Sequence, residues 1–139
     1  MERPLLDTSV FSTYIKRIDE NFDSFHFSIV VFYELMASLI DESTLQKYEN
    51  WLLGLHKADR LLIPTRTDWI NTSKAIRRLR HLKLINKNLP TTALQNDALI
   101  ARSAFMHGCF VITDNIRDYH LLQKVMPKLE VIPAKEFFS

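Results

Sequence analysis

The chain has 139 residues, 47% of them apolar, a net charge of +2 with histidine neutral, one cysteine and two glycines. That length predicts a single domain over residues 1–139, because domains commonly take about 100–150 residues and this apolar content supports a core. One cysteine excludes an internal disulfide and any multi-cysteine zinc site, and two glycines exclude a Walker loop and a dinucleotide-binding glycine fingerprint. Cys109, inside the apolar run CFVIT, reads as a small buried hydrophobe. The longest apolar stretch, around Phe27 to Tyr33, is too short to span a bilayer. The N-terminus MERPLLDTSVF lacks the basic region and long apolar core of a signal peptide, so a cytoplasmic protein without a membrane partner is expected.

From the N-terminus, RPLL is a short apolar run ending in Asp7-Thr8-Ser9, after which Val10, Tyr14 and Ile18 recur one helical turn apart. This pattern suits a strand running into a helix. FHFSIVVFYELMASLI repeats the design, with Ser28 as helix cap before a helix apolar on nearly every side and so expected to be buried. The next unit begins at Asp41 to Ser43, where Ser43 with Gln46 matches a capping box, and its helix carries Tyr48, Trp51, Leu52 and Leu55. RLLIP reads as a strand stopped by Pro64, and RTDWINTSKAIRRLRHLKLI as a long helix offering Trp69, Ile76, Leu79 and Leu82 to the core. INKNLPTT is the best loop, and Thr92 with Gln95 matches a cap for a helix from about Ala93 to His107, ended by Gly108. CFVIT is then a strand buried on both faces, followed by a helix near Arg117 to Val125, the strand LEVI and a final turn around Ala134 to Phe138. Short apolar strands alternating with helices predict an α/β fold with a mainly parallel central sheet between helices.

Four acids stand in this pattern where water should be scarce. Asp7 and Asp114 directly follow apolar strands, Glu34 is the only charge between His26 and Asp41, and Asp97 shares a helical face with Leu94, Ala101 and Ala104. Each has a plain explanation: a helix cap for Asp7, an ion pair for Glu34, the positive helix end for Asp97, a turn for Asp114. A buried charge costs several kcal/mol unless it is paired or coordinates a metal, so one shared cation explains all four together. In parallel sheets, ligands bind outside the carboxyl ends of the strands, where Asp7 and Asp114 fall. Carboxylates without accompanying histidine or cysteine ligands select Mg²⁺ or Mn²⁺ over zinc. Ions of that kind activate water for attack on a phosphodiester, which makes hydrolysis of a nucleic-acid backbone the expected chemistry. The acid-free run KAIRRLRHLKLINKN is either a solvated helix face or a phosphate-holding surface, with Arg77, Arg78, Arg80 and Lys83 as candidates.

With these residues in view the chain resembles the PIN-domain ribonucleases, in particular the VapC-like toxins of toxin–antitoxin modules. Leu5-Leu6-Asp7-Thr8-Ser9 is similar to the opening motif of that family, and Ser28 with Glu34-Leu35 to its second. Asn96 through Ala101 is similar to the third motif, and Val111-Ile112-Thr113-Asp114-Asn115-Ile116-Arg117-Asp118-Tyr119 to the last. The resemblance runs from end to end and implies a PIN-like three-layer α/β/α sandwich. It implies Asp7 and Asp97 as metal ligands, Glu34 completing the acidic pocket, and Asp114, Asn115 and Asp118 as alternatives for the fourth place. Thr8, Ser9 and Thr113 become hydroxyls that support the carboxylates or contact phosphate. It also implies Mg²⁺ (or Mn²⁺), an RNA substrate among tRNA, rRNA or mRNA, a cognate antitoxin and a homodimer. Tyr48, Trp51, Leu55 and Trp69 are candidates for such surfaces, or for the core.

Two other readings compete. A receiver domain of a response regulator needs paired acids after its first strand and an Asp after a middle strand, and neither Asp7 nor RLLIPTRTDW provides them. A catalytically silent PIN-like module that binds RNA or protein differs only in whether the pocket keeps enough ligands.

Overall fold

The computed structural model describes residues 3–139. Five strands, β1 (Arg3–Leu6), β2 (Phe27–Ser28), β3 (Leu61–Leu62), β4 (Cys109–Thr113) and β5 (Val131–Pro133), all pair in parallel. β1 pairs with β4 in the register Leu6 to Ile112, β4 with β5 at Ile112 to Ile132, and β2 with β3 at Ser28 to Leu62. A parallel bridge between Leu5 and His26, with the His26 N–H donating to the Pro4 carbonyl at 2.8 Å, joins the two groups. The strands therefore lie in the order β3, β2, β1, β4, β5. Chain progress runs outward from β1 to β3 and then reverses to the other side at β4. That reversal opens a crevice beyond the carboxyl ends of β1 and β4, where ligands of parallel sheets bind.

Among the described residues, seven α-helices connect and cover the strands: α1 (Phe11–Glu20), α2 (Ile29–Ala37), α3 (Glu42–Lys57), α4 (Arg66–His81), α5 (Gln95–Met106), α6 (Ile116–Gln123) and α7 (Ala134–Phe137). All five residues of β4 are buried, and successive strand residues face opposite sides, so this strand is covered on both faces as the run CFVIT predicts. Cys109 lies in that strand with its thiol pushed up to about 11 by burial, which leaves it an inert apolar filler. The α/β fold with its parallel sheet between helices matches the expected class.

The helix starts show where local chemistry was read correctly and where it was not. The Ser28 side chain caps α2, accepting from the Val30 N–H at 3.1 Å. α3 is capped by Asp41, whose Oδ2 accepts from the Thr44 N–H and from both Ser43 and Thr44 hydroxyls. Ser43 serves that cap instead of forming a box with Gln46, because the ionised carboxylate is the stronger acceptor. The capping box falls on α4, between Thr65 and Asp68. Thr92 does not cap α5, which begins at Gln95 with Leu94 at its cap position and no side-chain cap bond. Gly108 ends the α5 segment at φ +66°, the left-handed turn expected of it.

α2 is buried on one side only. Val30, Val31 and Phe32 are covered, whereas Tyr33 is 66% exposed and Ile40, just beyond the helix, 99%. Of the α4 residues expected inside, Ile76 and Leu79 are buried and Trp69 and Leu82 stand half out of the surface. Tyr48 and Leu55 belong to the core, and Trp51 packs on Phe22, Phe27 and Tyr48. No helix among the described residues is long and apolar enough to cross a membrane.

Phe27 is fully buried at the start of the second motif, with its ring against those of Phe11, Phe22, Phe32 and Trp51. Phe27→Ala removes the centre of this group and is expected to destabilise the protein by about 3–5 kcal/mol in urea denaturation.

Candidate metal centre

Asp7 follows the last residue of β1 and is 3% exposed, yet its carboxylate meets no cation. Three hydroxyls take its lone pairs. Ser9 Oγ and Thr113 Oγ1 each donate to Oδ2 at 2.8 Å, and the Tyr119 hydroxyl donates to Oδ1 at 3.0 Å. The expected role of Asp7 as a helix cap is not realised, since it makes no side-chain cap bond to the short helical turn that follows. Ser9 and Thr113 in turn accept the backbone N–H groups of Asp114 and Asn115, at 3.0 and 2.8 Å. The loop after β4 is thereby hung on the same two hydroxyls that hold Asp7.

Glu34, in the middle of α2, accepts from the Thr8 hydroxyl at 2.6 Å. Asp97 lies in the first turn of α5 and Asp118 in the first turn of α6, where the positive helix end favours an acid. The Asn115 side-chain amide stands between them, one N–H donating to Asp97 Oδ2 at 3.1 Å and the other to Asp118 Oδ2 at 3.0 Å. An amide suits that place, because it donates two protons where another carboxylate would repel both neighbours. Asp114 is exposed and contributes its backbone N–H alone. The adjacent Asn115 and Asp118 are the residues of this turn that reach the acids.

The resulting polar cavity, about 370 Å³, is lined by Asp7, Thr8, Ser9, Glu34, Asp97 and Asn115, with Thr92, Ala93 and Asn96 on its rim. None of the three ion pairs among the described residues involves Asp7, Glu34, Asp97 or Asp118. The consequence falls on Asp97, whose carboxyl is pushed up to about 7, chiefly by burial, then by the charges of Asp7, Asp118 and Glu34 and against the Asn115 hydrogen bond. Tyr119, fully buried beside Asp7, has its ionisation pushed far upward by desolvation and the nearby acids, so it stays a donor.

A set of oxygen donors with surplus negative charge suits a hard divalent cation in its ligand chemistry. Among the described residues, no three Asp, Glu, His or Cys side chains are drawn together closely enough to enclose an ion. Of the basic candidates, Arg80 spends its guanidinium on the carbonyls of Lys87 and Leu89, at 3.0 and 2.7 Å, pinning the loop after α4. Lys83 sits at φ +58° in the turn that ends α4. Arg77 and Arg78 are exposed and line two different hollows. Tyr119 is the contact that motif reading missed; the signal was a hydroxyl at an otherwise apolar helix position next to Asp118.

No protein-family model matches the chain, and no curated protein matches it in sequence. Solved structures do match. A DNA-bound VapBC from Salmonella typhimurium superposes with a TM-score of 0.65 at 18% identity, over 96% of this chain and 99% of that one. VapBC2 from Rickettsia felis, bound to a promoter DNA fragment, gives 0.60 at 20% identity over 96% and 98%. FitAcB from Neisseria gonorrhoeae gives 0.58 at 19% over 93% and 96%. Likeness at this level of identity shows the fold. It is the PIN fold of VapC-like proteins, as the four motifs implied.

Two outcomes follow from the geometry. Tyr119→Phe leaves a buried carboxylate oxygen without its donor and is expected to cost about 1–3 kcal/mol in urea denaturation. For Asp97, the folded carboxyl titrates near 7 and the unfolded one near 3.8, so the folded state is penalised as pH rises from about 4, fully so above about 7. Without divalent cations, Asp97→Asn should therefore match wild-type stability near pH 4. It should gain on wild type up to pH 7, by at most about 1.4 kcal/mol per pH unit, as read by thermal melts in EDTA.

Proposed function

We propose that the protein is a metal-dependent endoribonuclease, the toxin of a VapBC-type toxin–antitoxin pair, formed by a single PIN domain over residues 1–139. The observation that carries this reading is a cluster of Asp7, Glu34, Asp97 and Asp118 at the carboxyl edge of β1 and β4, held by neutral donors and no cation. In this reading Asp7 and Asp97 are the principal ligands of Mg²⁺ (or Mn²⁺), with Glu34 and Asp118 completing the pocket. When bound, such an ion supplies positive charge to phosphate oxygens and makes a nearby water more acidic.

The chain's own residues supply position and proton balance. Ser9, Thr113 and Tyr119 fix both oxygens of Asp7 before any substrate arrives, so its orientation costs nothing at the reaction. Thr8 does the same for Glu34. Asn115 holds Asp97 and Asp118 apart by one amide width. Asp97, near half-protonated at neutral pH, releases its proton to act as a ligand.

RNA is the proposed substrate, and a cognate antitoxin and a second copy of the chain are the proposed partners; the solved neighbours are toxin–antitoxin complexes. Half-exposed Trp69 and Ile70, Tyr33 on the outer side of α2 and Ile40 just beyond that helix offer apolar surface for them. One observation favours a second reading, a silent PIN-like module that binds RNA or protein: the acids do not already enclose an ion.

Incubation of total cellular RNA with purified protein in Mg²⁺ or Mn²⁺ separates the two readings. Wild type is expected to cut at discrete sites, and EDTA to stop it. Asp7→Asn and Asp97→Asn should each lower the rate by about 100-fold or more. Cleavage that persists in EDTA, or in both variants, would overturn the metal-dependent reading.

A further inference from the structure

The acidic cavity is one end of a longer depression. A groove of about 800 Å³ shares Ala93 and Asn115 with it and runs between the loop after α4 and the outer side of α6. The walls are apolar at Leu84, Ile85, Leu89 and Leu121, and on the α6 side Asp118 stands at the end near the acidic cavity, with Arg117, His120 and Lys124 beyond it. Lys124 also borders a further hollow of about 410 Å³, between α4 and the end of α6, whose other cations are Lys74, Arg78 and Arg102. That hollow has no acid in its lining. Arg102 is engaged with Asp68 at 3.8 Å and lies over the Phe105 ring. Lys74, Arg78, Arg117 and Lys124 form no ion pair among the described residues.

We propose that these joined depressions are the track of a single-stranded RNA leaving the acidic site, its phosphates passing Arg117, Lys124 and then Arg78 and Lys74. The inference rests on the acidic pocket being the cleavage site. Unpaired cations placed in series beyond a carboxylate cluster suit a polyanion that must reach that cluster, since they offset its approach to negative charge. Apolar side chains between the cations give the bases a surface to lie on. The basic residues of α4 thus divide: Arg78 and Lys74 face the track, whereas Arg80 is spent on loop carbonyls.

The test is anisotropy titration of a fluorescein-labelled, mixed-sequence single-stranded oligoribonucleotide in EDTA, at several salt concentrations, with circular dichroism melts to confirm folding. Lys124→Glu and Arg78→Glu should each weaken binding roughly tenfold and lower the salt slope by about one. Lys57→Glu, the same charge change on an exposed residue at the end of α3, should weaken it less than about twofold. If Lys124→Glu and Arg78→Glu bind as Lys57→Glu does, or if wild type does not bind, the track is wrong. Cleavage in Mg²⁺ or Mn²⁺ is scored separately on the same proteins. Binding with this charge pattern but no cleavage keeps the track and removes the nuclease reading, and cleavage whose KM ignores both reversals removes the track and keeps the nuclease.

Discussion

A nearly buried carboxylate at the end of the central strand, with no positive side chain paired to it among the described residues, sets the terms for the rest of this molecule. Asp7 is made tolerable by three hydroxyls from three places in the sequence: Ser9 two residues on, Thr113 at the end of β4, and Tyr119 on α6. Those bonds also register the structure. They tie the end of β1 to the end of β4 and bring the loop at Asp114 and Asn115 under both, which delivers the Asn115 amide to Asp97 and Asp118. Neutral donors satisfy geometry but leave charge, and the uncompensated charge appears where it is least stabilised, on Asp97. Folding alone does not relieve that excess.

The parallel fold was legible because its strands are short apolar runs and its helices carry their own caps and breakers. CFVIT read as a strand covered on both faces and Gly108 before it as a helix end, and both are so in the fold. What failed were choices among neighbouring polar residues. Asp41 outcompeted Ser43 as the cap of α3, and α2, apolar on paper, left Tyr33 in water because nothing in the fold covers that side. The acids at Asp7, Glu34 and Asp97 stood out because each interrupts an apolar segment. The last place did not resolve in sequence, since Asp114, Asn115 and Asp118 lie within one turn and only backbone direction decides which of them faces inward. The Tyr119 hydroxyl showed in the sequence only as a polar tip at an apolar helix position beside Asp118, and that it meets Asp7 depends on how α6 packs.

Charge on the surface follows a similar division between what a sequence lists and what a fold deploys. The basic run on α4 looks uniform, yet one arginine pins a loop, a lysine turns the helix end, and Arg77 and Arg78 line separate hollows. Arg117 and Lys124 from α6, unremarkable in the sequence, line the groove beside the acids, and Lys124 shares a second hollow with Arg78. Under the proposed function, acidic pocket and basic side chains answer one demand: a polyanionic backbone needs positive charge where it is held and a cation where it is cut.

Calorimetric titration of metal-free protein with Mn²⁺ tests the cation site most directly, because it needs no substrate and no knowledge of the RNA. Saturable binding by wild type that is lost in Asp97→Asn, with both proteins folded, is the expected result. Absence of binding by wild type, or equal binding by the two proteins, would contradict a metal centre built on these carboxylates.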